Sequence, residues 1–152
     1  MAKPIKKFIS AGSDPTIEKF INCVMHGGKK SIARAIFWDA MEIIKTRTKE
    51  APLEVFSKAL LNVTPIVEVR PKRVGGAVYQ VPVDVSPKRQ QALAIRWMIK
   101  AARDRKGMPM SQRLALELLD ASAEQGAAFK KKEDVKRMAA ANRAFAHLAK
   151  SR

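Results

Sequence analysis

Arg89, Arg96, Lys100 and Arg103 fall within about 60° of one another at roughly 100° of helix per residue. A row of cations on one helix face has an obvious chemistry, contact with a run of phosphates. The competing reading is a solvated basic face. Against it, no carboxylate follows the row at helical spacing except Asp104 near its end. A second set stands in 68-EVRPKRVGGAVYQVPVDV-85, where Arg70, Lys72 and Arg73 precede Gly75-Gly76. An ordered ribbon enters grooves too narrow for a helix, and Gly75, Gly76 and Ala77 let its backbone approach closely. Its competing reading is a surface hairpin whose basic residues protect an exposed edge. A third set, Lys136, Arg143, His147 and Lys150, shares a flank of the last predicted helix, with Lys130, Lys131 and Lys132 ahead of it. Lysine-rich loops are often only solvated, so this set counts only beside the others.

Catalytic chemistry finds no matching pattern. The stretch 27-GGKKS-31 superficially resembles a phosphate-binding loop, but that loop needs G-x-x-x-x-G-K-[ST] after a strand. Cys23 stands where its first glycine belongs, Lys30 where its Ser or Thr belongs, and a helix precedes it. His26 and His147 are far apart with no metal-ligand spacing, so no metal site and no cofactor are expected. The adjacent acidic pair Glu133-Asp134 suits a helix start, where the backbone dipole favours negative charge. There is no G-x-S-x-G and no Cys/His signature, and the chain does not read as an enzyme.

The composition agrees. The 152 residues hold 30 Lys+Arg against 14 Asp+Glu, a net charge of +16. Such a charge repels itself in a compact chain and calls for a polyanion. Nucleic acid is the first candidate and an anionic membrane surface the second. No apolar run approaches the ~20 residues of a membrane span. The single cysteine, Cys23, excludes an internal disulfide and falls on an apolar helical stripe, so it reads as a small buried hydrophobe. The start, MAKPIKKFIS, reads as a basic tail bearing Lys3, Lys6 and Lys7, neither a secretory signal nor an organelle import peptide.

These charges need elements to position them. Asp14-Pro15 starts a first helix with Ile17, Phe20, Ile21, Val24 and Met25 at helical spacing, and Gly27-Gly28 stops it. Ser31 caps a second helix to about Thr48, its apolar face Ile32, Ile36, Ala40, Ile43 and Ile44. Pro52 opens a third with Leu53, Phe56, Ala59, Leu60 and Val63 inward, ended by Thr64-Pro65. Alternation around Gly75-Gly76 then predicts two antiparallel strands. Pro71 and Pro82 would break a central strand, so the pair reads as a free-standing ribbon. Tyr79 reads as packing against its base rather than stacking on a nucleobase. Ser86-Pro87 caps a fourth helix to about Arg105, with Ala94, Ile95, Trp97, Met98, Ile99, Ala101 and Ala102 opposite the cations. A fifth runs from about Ser111 to Gln125, with Leu114, Leu118 and Ala121 inward. A sixth runs from about Glu133 to Lys150, with Val135, Met138, Ala139, Asn142, Phe145, Ala146 and Ala149 on one side. The fold class is mainly α: one six-helix domain over 14–152 with a two-stranded antiparallel ribbon protruding at about 66–85, behind a basic flexible tail, 1–13. Short loops predict packing between sequential neighbours.

The segment 54-EVFSKALLNVTPIVEVRPKRVGGAVYQVPVDVSPKRQQALAIRWM-98 resembles the family of the seventh protein of the small ribosomal subunit, bacterial and organellar type. So do Asp14, Thr16, Phe20-Ile21, 28-GKK-30, Ile36-Phe37 and Ala40, then 113-RLALELLDA-121 and 130-KKKEDVKRMAAANRAFAH-147. The resemblance covers nearly the whole chain from Asp14 on. It implies a structural, non-catalytic protein that binds the 3′ major domain of small-subunit rRNA and nucleates assembly of the subunit head. It further implies a ribbon near the exit-site tRNA and the outgoing mRNA, with the ninth and eleventh small-subunit proteins as neighbours and no membrane. The expected place is the cytoplasmic ribosome of a bacterium, the alternative an organelle-encoded protein of a mitochondrial or plastid ribosome.

Carried over residue by residue, the resemblance implies RNA contact at Lys3, Lys6 and Lys7, Lys29 and Lys30. On the ribbon it implies Arg70, Lys72, Arg73 and the Gly75-Gly76 tip. On the later helices it implies Arg89, Arg96, Lys100, Arg103, Arg113, Lys130, Lys131, Lys132, Arg137 and Arg143. The alternative reading is an architectural DNA-binding protein, since a helical body with a ribbon arm also suits a DNA groove. Such proteins commonly dimerise, and no long hydrophobic seam for a dimer is visible.

Overall fold

Proline opens three of the helices. In this computed structural model, which describes residues 14–149, α1 (Pro15–Val24), α3 (Pro52–Val63) and α4 (Pro87–Asp104) each begin on a proline. Its fixed φ suits a first turn, where its missing N–H costs nothing. Asp14 caps α1, accepting from the Thr16 N–H at 2.7 Å. Ser86 occupies the cap position of α4, but its side chain makes no capping bond. The tail 1–13 lies outside the described residues.

Helix α2 (Lys30–Arg47) departs from expectation at its start and on its face. Lys29 is the cap residue and Ser31 lies inside the helix, exposed. The buried face is Ala33, Phe37, Ala40, Met41 and Ile44, while Ile32 remains 55% exposed. Aromatic packing sets this rotation. Phe37 meets Phe20 and Phe56 at centroid distances of 5.8 and 5.2 Å, with the last pair edge-on. Small Ala33 and Ala40 allow close approach beside the rings. In α3, Val55 joins Phe56, Ala59, Leu60 and Val63 inside, whereas Leu53 is 41% exposed.

Strands β1 (Val67–Val74) and β2 (Ala77–Asp84) pair antiparallel, Val74 opposite Ala77. Gly75 and Gly76 take φ of 57° and 83°. That two-residue turn requires positive φ twice, which only glycine adopts without strain. The ribbon is two-stranded, yet it is not free-standing. Helix α6 (Gly126–Ala141) packs against β1, and a 3-10 helix, Arg143–Ala149, packs against β2. There Tyr79 meets Phe145 at 5.1 Å, and Lys72 Nζ donates to the Leu148 carbonyl at 2.6 Å. Tyr79 packs, as expected, but on the C-terminal segment. Tyr79→Ala should remove about 1 kcal/mol of ring contact. Hydrogen exchange should then show ribbon amides opening roughly fivefold more often.

Helix α5 (Met110–Ser122) is the centre of the body. It packs most extensively on α3 and α2, so chain neighbours are not its chief partners. Leu114, Leu118 and Ala121 are fully buried. It ends three residues before the expected Gln125, in a reverse turn where Gln125 N–H donates to Asp120 O at 2.8 Å and Glu124 N–H to Ala121 O at 3.1 Å. Glu124 sits in the left-handed region at φ 57°, the position a helix stop usually gives to glycine. Glu124→Gly should therefore raise stability by about 0.5–1 kcal/mol in urea denaturation.

Helix α6 spans Gly126–Ala141, seven residues ahead of its expected start at Glu133 and well short of Lys150. The 130–132 lysines are thus helical rather than in a leading loop. Buried Glu117 explains the start: its Oε1 accepts the Ala128 N–H at 2.9 Å, capping α6 from another helix. Gly126 at φ 90° lies so close that a Cβ there would meet Glu117 Oε1 at 3.0 Å. Asn142 ends α6 by donating from Nδ2 to Met138 O at 2.8 Å. Val135 and Ala139 are buried as expected, whereas Met138, Ala146 and Ala149 are exposed.

Candidate nucleic-acid interface

Glu68 organises the junction between ribbon and body. Although it alternates with the ribbon's valines, it is buried. Arg70 Nε donates to its Oε1 at 2.7 Å, and Arg89 Nη2 to its Oε2 at 3.3 Å. The cation row of α4 therefore does have a carboxylate near its start, supplied by another element rather than by helical spacing. One buried charge fixes two guanidiniums side by side where β1 meets α4.

The row continues along α4. Arg96, Lys100 and Arg103 line a groove of about 530 Å³ between α4 and α1, with Lys19 on the facing helix. Lys19 Nζ donates to Gln91 Oε1 at 3.1 Å. Arg103 donates to the Val24 carbonyl at 3.3 Å, a cation at the negative end of α1. Lys100 pairs loosely with Asp104 at 3.3 Å, both exposed. Arg96 is exposed and makes no hydrogen bond or ion pair with a described residue. Behind the cations, Ala94, Ile95, Met98, Ile99, Ala101 and Ala102 are buried, and Trp97 is half-buried. Cys23 is exposed in this groove, not buried as expected, because α1 turns Phe20, Ile21 and Val24 inward and leaves position 23 beside Lys19. Lys19 was not identified from the sequence; its four-residue spacing from Cys23 was the only signal.

The other expected contacts divide by whether the fold already engages them. Lys29, Arg73, Lys130, Lys131 and Arg143 are exposed and carry no partner among the described residues. Lys30, by contrast, pairs with buried Glu18 at 3.1 Å, as does Arg34 at 3.3 Å. Arg113 donates to the Arg103 and Arg105 carbonyls at 3.1 and 3.0 Å, tying down the end of α4. Lys132 donates to Asn62 O at 2.8 Å and lies over the Phe129 ring. Arg137 pairs with Asp134 at 3.5 Å on the surface. Lys29, Lys130, Lys131, Lys132 and Arg137 stand outside the α1–α4 groove. Lys3, Lys6 and Lys7 lie outside the described residues.

One cation has a purely internal task. Arg105 reaches from the end of α4 to Glu117 on α5, Nε to Oε2 at 2.9 Å, and also bonds Asp120. Burial opposes its charge, but the hydrogen bonds and charges of Asp120 and Glu117 outweigh it, so its pKa rises above the ordinary arginine value. No group of metal-ligating side chains occurs among the described residues, and no described helix is long and apolar enough to cross a membrane.

The family model of ribosomal protein S7p/S5e matches residues 2–143 of this chain. The chain belongs to this family. The proteins of this family are structural and non-enzymatic. A relative from Dictyoglomus thermophilum, small ribosomal subunit protein uS7, is 60% identical over 131 residues, 86% of this chain and 84% of its own. Proteins of the same name from Rhodopseudomonas palustris and Thermosipho melanesiensis are 60% and 57% identical, over 86% and 89% of this chain and 84% and 87% of their own.

Proposed function

We propose that this structural constituent of the small ribosomal subunit is the primary binder of the 3′ major domain of its rRNA, nucleating assembly of the subunit head. The carrying observation is the α1–α4 groove, where Lys19, Arg96, Lys100 and Arg103 line one channel. Its cations meet successive phosphates, which gives affinity and a steep salt dependence. Arg70 and Arg89, held by Glu68, extend this surface to the ribbon. The ribbon's tip lies at the exit-site tRNA and the outgoing mRNA, beside the ninth and eleventh proteins of the subunit. The bacterial relatives support a place in the cytoplasmic ribosome of a bacterium.

A chemical footprint of the full chain on the isolated 3′ major domain tests this reading. Protection confined to one multi-helix junction supports it; uniform weak protection along the RNA defeats it. Deleting Lys72 to Ala77 should leave the helical circular dichroism intact and weaken RNA binding only in part, by about tenfold, since the α4 row remains. Loss of the fold would instead mean that the ribbon belongs to the core.

A further inference from the structure

A second groove has the opposite chemistry. It measures about 520 Å³ and runs between the starts of α1 and α4 and the flanks of α2 and α3. The chain carries 30 Lys+Arg, yet none of the fourteen residues lining this groove is Lys or Arg. Its only charged lining residue is Asp14, of which Oδ1 alone is engaged among the described residues, by the Thr16 N–H. Phe56 and Leu60 form buried parts of its lining, and Trp38, Leu53 and Leu61 stand exposed around it, at 45%, 41% and 73%. A soluble chain does not expose a tryptophan and two leucines around one cavity without cost.

We propose that this groove is a protein-docking site, which takes an aromatic or aliphatic side chain from a basic peptide segment of a neighbouring protein. Three features choose this occupant. The volume fits one or two large side chains, within the range of ligand pockets. Tryptophan is among the residues most enriched at interface hot spots, and Trp38 lines this concave apolar surface. Charge selects the partner's sign: the one charged residue of the lining is Asp14, a carboxylate at the groove's end. A Lys or Arg next to the anchoring side chain pairs with Asp14 Oδ2. The groove works separately from the cationic face, so RNA and protein are held on different surfaces of one body.

The test places a photo-crosslinker in the groove of the full chain, as Ser57→p-benzoylphenylalanine, and assembles that chain into small-subunit particles. The expected adduct is a peptide of another protein, with an aromatic or aliphatic residue adjoining Lys or Arg at the linked position. Adding Leu61→Asp should cut the adduct yield about tenfold, because it places a charge on the apolar rim. The same variant should bind the rRNA fragment with unchanged affinity, which shows that its fold is intact. Adducts to nucleotides, to a second copy of the chain or to the chain's own tail would each overturn the proposal, as would an adduct yield indifferent to Leu61→Asp.

Discussion

Glu117→Ala should lower the free energy of unfolding by about 3–5 kcal/mol, the usual result of removing one partner from a buried ion pair. Glu117 is completely buried, and its two oxygens do different work. Oε2 holds Arg105 at the end of α4, and Oε1 receives the Ala128 N–H at the start of α6. The substitution leaves a guanidinium without its buried partner, an uncapped helix start and a void between three helices. Asp120 retains part of the Arg105 contact, since it bonds the same guanidinium. Glu117→Gln keeps an acceptor for Ala128 but removes the charge, so it should fall between wild type and Ala. Urea denaturation followed by circular dichroism gives all three values. Equal stability of Gln and Ala variants would show that the cap at α6 contributes nothing.

The largest functional effect is expected from replacing Arg89, Arg96, Lys100 and Arg103 with Gln together. Affinity for the 3′ major domain should fall about a hundredfold or more at moderate salt, as several phosphate contacts vanish. The slope of log K against log salt should also flatten, by about 0.7–0.9 for each phosphate no longer neutralised. These residues differ in their unbound surroundings. Arg96 has no partner among the described residues, so its replacement should act almost wholly on binding. Arg89 shares Glu68 with Arg70, so its replacement also loosens the base of the ribbon. Lys30→Gln and Arg113→Gln serve as contrasts. Lys30 neutralises Glu18, and Arg113 bonds the carbonyls at the end of α4, so their substitution should cost stability more than salt slope. A quadruple variant that folds and binds as well as the wild type would remove α4 from the interface.

Local chemistry was legible in the sequence. Proline marked three helix starts within a residue, and Gly75-Gly76 marked the turn of the ribbon. The apolar stripes of α1, α4 and α5 predicted the buried faces because each is amphipathic by itself. What sequence could not show was decided between distant elements. Glu18, Glu68 and Glu117 are the buried carboxylates, and each meets basic or N–H groups from another element. Spacing along one helix cannot show that Glu68 answers Arg89, or that Glu117 starts α6 seven residues early. The same cause rotated α2: isoleucine at 32 looked more apolar than alanine at 33, but Phe37 had to reach the rings of Phe20 and Phe56. For the site, charge pattern located the α4 row. It could not separate exposed cations without a partner among the described residues, such as Arg96, from those the fold had already engaged, such as Lys30, Arg113 and Lys132.

The central claim is selective recognition of folded rRNA by the cationic surface. Its most direct test is the equilibrium affinity of the full chain for the isolated 3′ major domain, measured beside duplex DNA of equal length across one range of salt. A preference for the RNA of about a hundredfold at moderate salt is expected, retained as salt rises because it depends on shape as well as charge. Equal affinity for the two, or a preference for the duplex DNA, would contradict it.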